Sequence, residues 1–163
     1  HIKLDYDLIH TLIERWIHET HTFHLKHRKM TSTLQDVVVL LGLSINEQII
    51  TSTNVCNWIM LCERVFGLTP LPYKIEKTFT ISPNNANDEV LYARAYILCL
   101  FGVVLFTYLT RRYISLIYLT LLNDFDVIPT YSWGSGVLAY LYKYLCLVCM
   151  KMVKQVRGCL LLL

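Results

Sequence analysis

The stretch 95-AYILCLFGVVLFTYL-109 decides how this 163-residue chain is read. It is apolar and uncharged throughout, so it is either a membrane span or the inside of a helical domain. At 1.5 Å per residue a helix of this length reaches about 22 Å, short of the roughly 30 Å hydrocarbon core of a bilayer. Arg94 stands before it, and Arg111 and Arg112 stand just after. An all-round apolar helix of this length is expected at the buried centre of a multi-helix domain. A small membrane protein with a helix at about 95–109 is the alternative.

The whole composition leans the same way. Hydrophobic residues make up 55% of the chain and charged residues 17%, against roughly 45–50% and about 25% in ordinary soluble domains. With 12% aromatics and a mean hydropathy of +0.43, a disordered tail is excluded, because disorder needs low hydrophobicity and excess charge. Six glycines and four prolines exclude a collagen-like or linker-like chain. The net charge of +3 falls short of a nucleic-acid-binding footprint over the chain as a whole. After Asp126, however, Lys143, Lys151, Lys154 and Arg157 meet no acid, which reads as a solvated helix face. The six cysteines lie in apolar periodic segments and the chain opens on polar residues without a signal peptide, so a reducing interior compartment is expected.

Outward from the central run the pattern is helical. Leu8, Ile9, Leu12, Ile13, Trp16 and Ile17 share one helical face, with Asp5 or Asp7 as cap. Residues 21–33 read as a small β-hairpin, His21–Leu25 returning through Met30–Thr33. Thr33 then caps a helix whose first turn holds Asp36 and whose end is Gly42. A helix is expected over about 54–66, carrying Trp58, Ile59, Cys62 and Val65 inward before Gly67 and Pro70 stop it. Residues 69–88 carry loop chemistry, and Asn87 or Asp88 caps the long helix through Leu105. A shorter helix follows at 114–122. The last helix begins near Ser132 and shows a stripe of Val137, Leu138, Leu141, Tyr142, Leu145, Cys146 and Cys149. The closing Cys159-Leu160-Leu161-Leu162-Leu163 reads as the first turns of a helix whose remainder is missing. One domain over 1–163, cut short at its C-terminus, is therefore expected.

Candidate chemistry gives way to plainer readings. His18, His21, His24 and His27 are spaced by three, but that spacing gathers all four on one point neither in a strand nor in a helix. Cys146-x-x-Cys149 lacks the second pair of a structural zinc site and lies inside an apolar stripe, so it reads as packing. Ser132-Trp133-Gly134-Ser135-Gly136 lacks the first glycine of a nucleophile elbow and reads as a cap with close backbone packing. Thr33–Ile50 resembles half of a helix-turn-helix, yet offers only Asn46 and Gln48 after its turn. No phosphate loop occurs. No catalytic, cofactor-binding or metal residue is assigned, and no enzyme activity is expected.

Several stretches together resemble one family. They are Glu14-Arg15-Trp16 with Glu19-Thr20-His21-Thr22-Phe23-His24-Leu25; Thr33-Leu34-Gln35-Asp36-Val37 with Leu40-Leu41-Gly42-Leu43; Ala93-Arg94-Ala95-Tyr96-Ile97-Leu98 with Leu105-Phe106; and Tyr131-Ser132-Trp133-Gly134-Ser135 with Leu138-Ala139, Leu141-Tyr142 and Leu145-Cys146. In this order they are similar to the plant mobile domain, also called the aminotransferase-like plant mobile domain, of MAIN-like proteins. Tyr108 departs from the pattern where an acid is common, and His27-Arg28-Lys29 replaces a less basic turn.

The resemblance implies a mostly α-helical, non-enzymatic interaction domain of nuclear plant proteins tied to meristem maintenance, development and transposable-element silencing, or a transposon-derived copy of one. It implies protein partners, among them a phosphatase-like nuclear protein, with any chromatin association indirect, no cofactor, no small-molecule substrate and no membrane. Trp16, Glu19, His21, Phe23, His24, Tyr131, Trp133 and Ser135 are its signature residues and the expected partner surface.

Overall fold

The computed structural model describes residues 5–46, 48–51, 58–66, 89–107 and 116–163. Among them are α1 (Tyr6–Glu14), β1 (Trp16–Ile17), β2 (Thr22–His24), β3 (Lys29–Met30), α2 (Leu34–Leu41), α3 (Trp58–Phe66), α4 (Glu89–Leu100) and α5 (Trp133–Cys149). A π-helical turn covers Phe101–Leu105, and 3-10 turns cover Leu116–Leu122, Ile128–Thr130 and Leu160–Leu162. The fold is mostly α with a small antiparallel sheet, as the sequence pattern predicts. Two compact units emerge, one of residues 1–49 and 132–163, the other of residues 50–131.

In the first unit Asp5 caps α1, its carboxylate accepting from the N–H groups of Asp7 and Leu8 at 3.1 Å each. The helix stops at Glu14. Trp16 and Ile17, expected on its face, instead form β1 and pair with Phe23 and Thr22 of β2. An aromatic and a β-branched residue suit a strand, and the Trp16–Phe23 ring contact replaces what one more helical turn would bury. The expected hairpin is present as β2 and β3, in the register Phe23↔Met30 and His24↔Lys29. β1 makes it a three-stranded sheet.

Thr33 caps α2 as expected and closes a capping box with Asp36, and Gly42 ends that helix at φ +65°. The Thr33 hydroxyl and then its N–H bind the Asp36 carboxylate and hold its pKa below the ordinary 3.8. Along α5, Val137, Leu138, Leu141 and Leu145 are buried, while Tyr142, Cys146 and Cys149 are half-buried beside the sheet. The C-terminal leucines do not begin an α-helix. They form a 3-10 turn packed on α2, with Cys159 and Leu162 buried.

In the second unit α3 packs on α4 and on the 3-10 helix Leu116–Leu122, around buried Leu61, Cys62, Val65, Leu98, Leu119 and Leu122. Cys62 and Val65 point inward as expected. Residues 114–122 are described from Leu116 as a 3-10 rather than an α-helix. The central run departs most from expectation. It leaves α geometry at Phe101, where the N–H of Phe106 bonds back to the carbonyl of Phe101 at 2.7 Å. Residues five apart lie about 140° apart on an α-helix, whereas the wider turn brings Phe101 and Phe106 to one side, centroids 6.0 Å apart. Both then face Tyr118, at 5.8 and 4.5 Å. Nor is the helix buried all round: Leu98 is buried, but Tyr92 and Tyr96 are exposed. Among the described residues no helix is long and apolar enough to cross a membrane. The side chain of Trp58, the stop at Gly67 and Pro70, the loop over 69–88 and the cap at Asn87 or Asp88 lie outside the described residues.

Candidate functional site

Two groups of signature residues are built into the first unit. The first centres on Trp16, which β1 turns inward and leaves only 3% exposed. Its ring lies 4.8 Å from Phe23, 5.2 Å from Tyr142 and 6.1 Å from His21. His21 stacks on Tyr142, with planes 3° apart and centroids at 5.6 Å. Its backbone takes φ +51° to do so, a left-handed conformation uncommon for a side chain of this size. The Tyr142 hydroxyl is fixed in turn by the Thr31 hydroxyl at 2.7 Å and by the Ser32 carbonyl. Ser32 reaches on to the Leu162 carbonyl, tying the C-terminal turn to the same network.

The sequence reading missed what α5 contributes here. Trp16 donates its indole N–H to the Cys146 sulfur at 3.4 Å, and the Cys149 thiol donates to the Trp16 carbonyl at 3.4 Å. The two cysteines are three apart on a helix and so share a face. That spacing was the available signal, and its meaning is a clamp on Trp16 rather than plain apolar packing.

The second group is Ser132-Trp133-Gly134-Ser135 at the start of α5. Trp133 is buried and Gly134 meets the segment after α2, its N–H bonding the Ser44 carbonyl at 2.8 Å. A Cβ on Gly134 would lie 2.7 Å from Ile45 Cγ2, 3.0 Å from the Ser44 oxygen and 3.0 Å from Val37 Cγ1, so only glycine admits this approach. The Ser132 N–H bonds the Gln48 carbonyl at 2.8 Å. Its hydroxyl donates to Ser135 at 2.7 Å, and Ser135 donates to the Ile45 carbonyl at 3.4 Å. Ser132 occupies the cap position without bonding a helix N–H; its hydroxyl serves the contact with residues 44–48 instead. Among the described residues after Gly42, 43–46 and 48–51, no second helix occurs, which counts against the helix-turn-helix reading.

The signature residues thus divide by burial. Trp16, Phe23 and Trp133 lie in the core of the unit, and they can support a surface but not form one. Glu19, His21 and His24 are exposed around β2, with Glu19 lying 3.3 Å from His18 Nδ1. Ser135 and Tyr131 are half-buried, and the Tyr131 N–H bonds the Ile128 carbonyl at 3.4 Å.

Arg94, in the motif of the second unit, was not singled out. Its guanidinium forks to the carbonyls of Val65 at 3.2 Å and Asn123 at 2.9 Å and covers the Phe125 ring at 5.2 Å. A cation thereby meets the last turn of α3, where helix carbonyls carry partial negative charge.

Burial pushes the Cys62 and Cys159 thiols up, away from the reactive thiolate. Among the described residues no group of three His, Cys, Asp or Glu could hold a metal ion.

Comparison with known proteins gives a consistent picture. The sequence model of the family described as plant mobile domain matches residues 1–163. The chain is 38% identical over 174 residues to the serine/threonine-protein phosphatase 7 long form homolog of Arabidopsis thaliana, covering 99% of this chain and 13% of that protein. It is 35% identical over 174 residues to protein MAIN-LIKE 2 of the same plant, covering 99% of this chain and 26% of the relative. With protein MAINTENANCE OF MERISTEMS, also from Arabidopsis thaliana, it shares 31% over 175 residues, 99% of this chain and 37% of the relative. The chain therefore spans well under half the length of these curated relatives. No solved structure gives a significant match. With its signature motifs in place and the family match running from end to end, the chain belongs to the plant mobile domain family.

Proposed function

We propose that the chain is a non-enzymatic interaction domain that works in the nucleus, where it contacts a phosphatase-like protein partner in support of meristem maintenance and transposable-element silencing. The observation that carries this reading is the division of the signature residues. Trp16, Phe23 and Trp133 are buried as a frame, while Glu19 and His21 on the β1–β2 turn and His24 on β2 stand exposed. Rigid presentation of exposed polar groups lowers the ordering cost of association. The names of the relatives support the biological setting: one is a phosphatase 7 long form homolog and another is called maintenance of meristems. Chromatin is reached through the partner, and neither a cofactor nor a small-molecule substrate takes part. Fluorescent tagging in plant cells, combined with affinity purification from isolated nuclei, tests it. Nuclear signal with a phosphatase-like protein enriched is expected; exclusion from the nucleus, or no such protein recovered, contradicts it.

A further inference from the structure

The tip of the β2–β3 hairpin is a concentrated cationic surface. The turn is closed by the Leu25 N–H on the Arg28 carbonyl at 3.1 Å, and Lys26, His27, Arg28 and Lys29 are all exposed on it. Lys29 lies directly across the ladder from exposed His24. Among the described residues no carboxylate pairs with Lys26, Arg28 or Lys29. No acid occurs between Thr20 and Gln35, nor between Ser132 and Leu163, the two segments that make up most of this unit. Basic groups side by side across a hairpin repel one another, so the arrangement is no aid to stability. It makes sense as a surface waiting for negative charge.

The shape of the surface selects the kind of polyanion. An acidic peptide is normally held in a groove or along a sheet edge with pockets for alternate side chains. Here the exposed cations sit at the β2–β3 end of a three-stranded sheet, on the hairpin turn beyond the His24–Lys29 pair, and a B-form major groove is wide enough to admit a two-stranded hairpin. Long cationic side chains on an exposed turn suit phosphate oxygens, which are repeated, exposed and indifferent to base sequence.

We propose that the 24–29 hairpin tip binds the phosphate backbone of duplex nucleic acid without reading its sequence, with Lys26, Arg28 and Lys29 supplying the contacts. This goes beyond the protein-partner reading, in which chromatin is reached through the partner, by adding a direct contact, and it does not depend on that reading. Three phosphate contacts give log K against log salt a slope of about −2.7, so affinity falls about fortyfold between 50 and 200 mM salt.

The test is fluorescence anisotropy of a labelled 20-base-pair duplex titrated with the full chain, with polyglutamate as competitor. The parent should bind with that slope. The variant with Lys26→Glu, Arg28→Glu and Lys29→Glu should lose at least tenfold in affinity at 50 mM salt, with its helical circular dichroism retained. A second variant with Lys26→Gln, Arg28→Gln and Lys29→Gln should lose most of the same affinity without charge reversal. Lys143→Gln with Lys154→Gln should lose little. Absence of duplex binding at 50 mM salt, equal loss in the Lys143/Lys154 variant, or capture of polyglutamate in preference to the duplex would each overturn the proposal.

Discussion

The described residues of the two units make different kinds of contact. In the unit of residues 1–49 and 132–163, directed polar contacts fix the fold at small or aromatic residues: the Cys146 and Cys149 clamp on Trp16, the Tyr142 hydroxyl between Thr31 and Ser32, and Gly134 against Ser44. Among the described residues of the unit 50–131, leucines and a Phe101–Phe106–Tyr118 ring cluster lie in the interior, and the Arg94 fork to the Val65 and Asn123 carbonyls is one directed contact. Directed contacts tolerate few substitutes, whereas apolar packing accepts many residues of similar volume. Most of the signature residues lie in the first unit.

The largest expected effect tests that contrast at its centre. Trp16→Ala removes a buried ring and the indole N–H that binds Cys146, leaving only the backbone carbonyl that Cys149 binds, and should cost about 3–5 kcal/mol. Thermal melting measures the loss, and hydrogen exchange should show the amides of 16–30 losing protection first. Next comes Gly134→Ala. A helical glycine replaced by alanine ordinarily gains about 1 kcal/mol, but the 3.0 Å approach to the Ser44 carbonyl turns the sign, with a net loss of about 1–3 kcal/mol expected by urea unfolding. In the second unit Arg94→Met keeps the volume of the stem but orphans the Val65 and Asn123 carbonyls, one bond being solvent-exposed, so a loss of about 1–2 kcal/mol is expected. Arg94→Lys should restore only part of it, because an ammonium cannot fork to two carbonyls. If Arg94→Met proves as damaging as Trp16→Ala, the contrast between the units fails.

The smallest effect is electrostatic. Asp36 has a folded pKa below 3.8, so its contribution to α2 is complete above its unfolded-state value and is lost as pH falls through the lower folded value. An acid titration followed by helical circular dichroism should show this loss in the parent and a reduced one in Thr33→Ala, which removes the hydroxyl that binds the carboxylate.

These expectations also mark how far sequence reasoning reaches. Local rules narrowed the α1 cap to Asp5 or Asp7 and located the Thr33 cap, Gly42 and the β2–β3 hairpin, because each depends on residues within a few positions of one another. The periodicity of Leu8 to Ile17 overran the true end of α1, since the reason Trp16 leaves the helix lies in Phe23 and Tyr142, the latter more than a hundred residues away. The 95–109 run promised a buried helix, but Tyr96 is exposed, and the π turn sets Phe101 and Phe106 against Tyr118, a contact that no helical pattern announces. Among the signature residues, chemistry marked out Trp16 and Trp133 but could not tell frame from surface. That distinction is set by tertiary contacts, such as the one that only Gly134 permits.

The division of frame from surface is the central claim, and one measurement addresses it directly: co-precipitation of nuclear partners by the double variant Glu19→Ala with His24→Ala, run beside a thermal melt of the same protein. Partner recovery that drops severalfold at an unchanged melting temperature is the predicted result. Full recovery of every partner by this variant would contradict the account.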